Sequence, residues 1–267
     1  MNRIKASFAF VLVCFSTLSL CGCFMPRAHS MGASLMTVPH QPRASADSAN
    51  SEMSVAVGAF GSLAGEGLNV NKVKTGGGDV SFMYRMGGAV SPLFFSAAAG
   101  GMLGKLRFDC NESRCSDNAE MYKVWLKTKE GKREYSFWDM QERLLLGGDF
   151  NVGQYVLLGL GGGVQFFQGG GSYDDNRDEL EGNKLVENVD GYIGFAPVSS
   201  VWVGSRLGHG GKWGSVLAEF DMSYKGDIED WTSAIMLSYF HTTGFYGGIM
   251  WNSQLGYGLN LGKTFVF

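Results

Sequence analysis

Proline is scarce in this sequence, five in 267 residues, and charged residues reach only 18%. So few charges against 45% hydrophobic residues exclude global disorder, because such a chain can bury a large apolar surface. The basic residues form no stripe and the formal charge is −3 at pH 7, so nucleic-acid binding lacks its electrostatic footprint. Beyond residue 50 the only histidines are His209 and His241. Glycine is the one residue in excess. Forty positions are glycine, about twice average usage, yet without a Gly-X-Y period, which excludes collagen. Glycine weakens a helix interior by about 1 kcal/mol each, so the chain is not helical; it suits strands whose neighbours approach closely. The length fits one all-β domain.

Two patterns that suggest cofactors fall short. The glycine runs at 161–163 and 169–171 lack the Lys-Ser/Thr of a phosphate loop. Asp174, Asn176 and Asp178 alternate as a calcium loop begins, but Glu179 stands where Gly is required and Leu185 where the bidentate Glu is required. No cofactor or metal is expected.

At the N-terminus, Arg3 and Lys5 precede an apolar run over residues 6–20, the charged and apolar regions of an export signal. Leu20-Cys21-Gly22-Cys23 resembles the lipobox of bacterial lipoproteins, which implies a signal over residues 1–22 and lipidation at Cys23. Ordinary cleavage after Ala28-His29-Ser30, leaving Met31 first, is the rival. Residues 23–53 carry Pro26, Pro39 and Pro42 with many Ala and Ser and no apolar period, and are expected to form a flexible periplasmic tether. Of the five cysteines, Cys110 and Cys115 remain outside the N-terminal region; in an exported chain they are expected to form a disulfide pinning a short polar loop.

From residue 54 onward apolar residues recur with period two, which places them on one face of extended strands. Val156, Leu158, Leu160, Val164 and Phe166 alternate with Gly159, Gly161, Gly163 and Gln165; Val216, Ala218, Phe220 and Met222 alternate with Leu217, Glu219, Asp221 and Ser223. The runs predict strands at 54–61, 80–87, 93–107, 142–151, 155–167, 188–195, 201–208, 215–225, 231–240 and 256–267. Ten is the central count; eight results if weak strands drop out, and twelve if 120–127 and 133–138 form an inserted hairpin. A soluble sandwich alternates in the same way. Three features favour a transmembrane β-barrel instead. The polar face is small and glycine-rich, as a crowded lumen requires. Tyr84, Phe108, Phe150, Tyr155, Phe167, Tyr224, Trp231 and Tyr239 lie toward strand ends, as interfacial girdles do. Short connections at 89–92, 153–154 and 197–200 alternate with long polar ones at 63–77, 109–140 and 168–186.

Over residues 54–267 the chain therefore resembles the small outer-membrane β-barrel proteins, the broad class that includes the OmpA-like barrels. The closing segment, from Gly256 through Leu259, Leu261 and Phe265 to Phe267, carries the likeness most specifically. The resemblance implies the bacterial outer membrane as location and its lipid as surroundings. It also implies that Phe265 and Phe267 act as a signal read by the barrel-assembly machinery.

Pleat parity places Arg85, Arg143, Asp149, Asp190, Arg206, Glu219 and Asp221 in the lumen. Mixed charges in a narrow barrel are expected to pair into a plug, because unpaired ones are costly; a selective polar pathway is the alternative. Tyr239-Phe-His241-Thr-Thr243 resembles the His-x-Ser segment of lipid A deacylase barrels, but Thr243 replaces the serine and no acid partner is evident by spacing. The expectation is a non-enzymatic barrel with a structural or surface-interaction role through its long loops, of unknown extracellular ligand. A pore for polar solutes and a lipid A hydrolase are the alternatives.

Overall fold

The computed structural model describes residues 38–43, 50–62, 65–66, 72–87, 92–107, 124–125, 127–129, 131–176, 193–225, 230–253 and 255–267. Cys23, Cys110, Cys115 and Asp190 lie outside them. The strands are β1 (Glu52–Ser62), β2 (Gly65–Glu66), β3 (Lys72–Arg85), β4 (Leu93–Arg107), β5 (Glu134–Val152), β6 (Val156–Gly170), β7 (Ile193–Arg206), β8 (Ser215–Lys225), β9 (Asp230–Phe240), β10 (Phe245–Asn252) and β11 (Gly256–Val266). Apart from the two-residue β2, each pairs antiparallel with its neighbours in sequence, and β1 pairs with both β3 and β11. Ten strands thus close into a barrel with no free edge. Among the described residues no helix is long and apolar enough to cross a membrane; the crossing elements are strands.

Alternation decides which way each side chain points. On β5, Tyr135, Phe137, Asp139, Gln141, Arg143 and Leu145 are buried, while Trp138, Met140, Leu144 and Leu146 are exposed; Glu142 is the outward exception in this stretch. On β7, Ala196, Val198, Ser200 and Trp202 point in, and Phe195, Val201 and Val203 point out. The outer wall is an apolar belt including Val57, Val80, Leu160, Ile235, Ile249 and Leu261, each 40% or more exposed. Tyr84, Phe150, Tyr155, Trp231 and Tyr239 are exposed as well, in the girdle positions expected. Phe167 is a correction: parity with Gln165 turns it inward and it is 6% exposed. Leu255, in the turn before β11, is likewise buried.

Two strand assignments differ from the sequence reading. The turn expected at 197–200, between strands at 188–195 and 201–208, does not form: β7 is continuous from Ile193 to Arg206, with Pro197 inside it, opposite Val164 of β6, while residues 188–192 lie outside the described ones. Pairing of β7 with β8 stops at Val198, so the missing N–H of Pro197 falls where that ladder ends. β10 was not anticipated, because Phe245-Tyr246-Gly247-Gly248-Ile249-Met250 is apolar on both faces and broken by two glycines. One strand too many and one too few leave the count at ten. Residues 134–138 belong to β5; most of 120–127, the other arm of the expected hairpin, lies outside the described residues, and Val124 and Trp125 are helical.

Candidate functional site: a lumen filled by the chain itself

The residues with most chemistry gather in the half of the lumen nearest the chain ends and the short turns, the periplasmic end in a barrel of this design. Asp149 is the hub. It accepts from Arg85 Nε at 2.7 Å, from Trp202 Nε1 at 3.0 Å and lies 2.8 Å from His40 Nε2. Arg85 also reaches Glu52 at 3.0 Å, tying β1, β3 and β5 together. Higher up, Arg143 pairs with Asp221 at 2.9 Å. Arg206 donates to Asn151 at 3.0 Å. Arg85 and Asp221 are fully buried, so each charge is tolerable only because a partner of opposite sign replaces its water.

The occupant of this site comes from the stretch expected to be a tether. Residues 38–43, Val-Pro-His-Gln-Pro-Arg, lie inside the barrel, where His40, Gln41 and Arg43 are buried. Pro39 and Pro42 hold the backbone extended and lack N–H donors, so the segment cannot add a strand to the sheet and is held by side chains of the wall instead. The His40 ring stacks on Trp202 with centroids 3.7 Å apart and 19° between planes, with Phe94 edge-on at 5.0 Å. Its backbone N–H donates to Glu219 at 2.7 Å. Arg143 donates to the Val38 carbonyl at 2.7 Å and Arg206 to the Arg43 carbonyl at 3.4 Å. Arg43 donates to the Met86 carbonyl at 3.0 Å, and Thr264 donates to Gln41. From Arg43, beside the β3–β4 turn, the segment climbs to Val38, which packs against Ala98 five residues up β4.

Glycines of the wall make this packing feasible. A Cβ on Gly159 would lie 2.2 Å from Trp202, and one on Gly262 2.3 Å from Tyr246. Only a residue without a side chain lets these rings lie flat against the sheet.

Six of the seven lumen charges named from parity are described, and all six point inward; Arg85, Arg143, Asp149, Arg206, Glu219 and Asp221 also converge on the segment or its direct partners. The sequence reading missed His40, Gln41 and Arg43, whose surroundings resemble a linker, and Asp79 and Tyr246, which face each other across Gly58. His241 is exposed in the β9–β10 turn, where its Nδ1 lies 2.7 Å from Thr243 Oγ1; among the described residues no carboxylate pairs with it. Asn176 caps the helical turn Ser172–Asp175 through the Ser172 carbonyl at 2.6 Å, and no group of metal-ligating residues forms among the described residues. Phe265 and Phe267 are exposed, and Phe267 exchanges backbone hydrogen bonds with Met53 that seal β11 to β1.

A closed antiparallel barrel with charges inside and an apolar belt outside inverts the distribution of a soluble protein. It is the arrangement of a β-barrel spanning the bacterial outer membrane. No protein-family model and no curated protein matches the chain. Among solved structures it is similar to Ail, the attachment invasion locus protein of Yersinia pestis, at 10% identity and a TM-score of 0.37, over 81% of this chain and 99% of that one. It is similar to an outer-membrane channel from Pseudomonas putida F1 at 9% identity and a TM-score of 0.39, over 86% and 100%. A third is the translocator domain of the autotransporter NalP from Neisseria meningitidis, at 11% identity and a TM-score of 0.33, over 82% and 88%.

Proposed function

We propose that this protein is a non-enzymatic, closed outer-membrane barrel that serves as a rigid scaffold for its outer-facing connections, in a structural or surface-interaction role. The observation carrying this reading is the seating of residues 38–43 in the lumen, with the His40 ring stacked on Trp202 and fixed by Asp149 and Glu219. A conduit for solutes needs a continuous aqueous path, and the buried ion pairs and the proline-stiffened segment in the lumen weigh against one. Connections held on a rigid scaffold are where binding usually resides. Against catalysis stands the placement of His241, whose recorded side-chain partner is Thr243 of the same turn; an activated hydroxyl needs its base oriented by a third group.

Planar-bilayer conductance tests the reading. The purified barrel should give no stable channels. Steady channels whose ion selectivity changes on Arg206→Ala or Glu219→Ala would replace it with a pore. Loss of an acyl chain from lipid A, abolished by His241→Ala, would replace it with the hydrolase.

A further inference from the structure

Outside the lumen, the outer ends of β3 and β4 present basic residues directly opposite one another. Lys74 registers with Lys105, and Lys72 with Arg107. Lys74, Lys105 and Arg107 all lie on the outward face: Lys74 is exposed between buried Val73 and Thr75, and Lys105 and Arg107 are exposed on either side of buried Leu106. Like charges directly opposite on neighbouring strands repel, and here Lys74 and Lys105 do so, with Arg107 the next outward position along β4. The counter-charge among the described residues is Glu134, 3.5 Å from Lys105, in register with Arg107 and well exposed; among the described residues Lys74 and Arg107 form no ion pair. One carboxylate against three cations leaves a net positive patch that attracts an anion.

Position decides which anion. Leu103, 70% exposed, and Met140, 60% exposed, are the last apolar outward residues below the patch, with Trp138 beside Leu103. Leu103 is ten positions above Leu93, which matches an apolar band about 25 Å tall for strands tilted roughly 40°. Lys105 and Arg107 are the next two outward positions, about 5–10 Å beyond that edge, which is the headgroup layer of the outer leaflet. The side chains face sideways into that layer, not upward into solvent.

We infer that Lys74, Lys105 and Arg107 form a binding site for the phosphorylated headgroup of an outer-leaflet lipid, whose acyl chains lie on Leu103 and Met140. The site requires the barrel to stand in a bilayer and is independent of whether the lumen is closed. The test is binding of labelled diphosphorylated lipid A to the full-length protein reconstituted in phosphatidylcholine vesicles. The expected result is saturable, salt-sensitive binding. The triple variant Lys74→Glu, Lys105→Glu, Arg107→Glu should weaken it by roughly a hundredfold, at about one surface charge's worth per residue. Glu134→Lys should strengthen it, a gain that misfolding cannot mimic. Heat-modifiable gel migration verifies that each variant is folded. Equal binding of labelled dephosphorylated lipid A would overturn the proposal, as would indifference to both the triple variant and Glu134→Lys. Full displacement by soluble inorganic polyphosphate, with equal affinity for that probe alone, would also overturn it by assigning the patch to free polyanions.

Discussion

At the scale of the residue, the lumen separates interactions that hold the barrel together from those that merely decorate it. Asp149 joins Arg85, His40 and Trp202 in one buried cluster. An amide in its place keeps one acceptor oxygen, enough for His40 and Trp202 or for Arg85 but not for both sides, and removes the charge that balances Arg85. Breaking a buried pair on one side costs about 3–5 kcal/mol, so Asp149→Asn should clearly lower the temperature at which heat-modifiable migration is lost. Lys105→Ala, which removes an exposed pair 3.5 Å long, should change stability by less than about 1 kcal/mol. A midpoint shift of equal size in the two variants would refute the hub assignment. Gly159→Ala adds a single methyl, yet it meets the Trp202 ring, and overpacking of this kind costs about 1–3 kcal/mol. It should alter the near-ultraviolet circular dichroism of the aromatic cluster, whereas Gly148→Ala, whose Cβ would meet Phe150 at 3.0 Å on the outside of the wall, should leave that signal nearly unchanged.

Among the elements, Phe267 separates assembly from stability. Its side chain is 72% exposed, while its backbone pairs with Met53 at the seam. Phe267→Ala should therefore leave the thermal stability of the refolded barrel intact but reduce the amount recovered folded in the outer membrane after export, measured by fractionation. Normal recovery would remove the assembly-signal role. Strands were legible wherever the two faces differed sharply in polarity: residues 93–107 and 215–225 coincide with β4 and β8. Where both faces were apolar, as in β10, no period existed to be read. At Pro197 a turn signal outweighed a period that in fact continues across it, from Phe195 to Val201 and Val203 on the outward face. The lumen charges were legible for the same reason as the strands, since parity alone sends Arg85, Arg143, Glu219 and Asp221 inward. The segment that meets them was not. Nothing in Val-Pro-His-Gln-Pro-Arg has periodicity, and its seat is defined by residues from β4, β5, β7, β8 and β11 that are far apart in sequence.

For the whole molecule, the seating of the segment 38–43 in the lumen supplies a sharp prediction. Its hold is concentrated in His40, which contributes the ring stacked on Trp202, the contact to Asp149 and the backbone donor to Glu219. His40→Asp would set a carboxylate between Asp149 and Glu219 in a site of low polarity, where like charges cannot both remain ionised and close, and the segment should leave. What it uncovers is a lumen richer in carboxylates, from Glu52, Asp79, Asp139, Asp149, Glu219 and Asp221, than in guanidiniums, from Arg85, Arg143 and Arg206. A pore lined in this way concentrates cations. In planar bilayers the His40→Asp protein should then show intermittent, cation-preferring openings absent from the parent, and Glu219→Gln in the same background should weaken the preference. Silence from a variant shown to be folded would mean that the wall's own side chains seal the lumen. Anion preference would mean that the arginines, and not the carboxylates, face the path that opens.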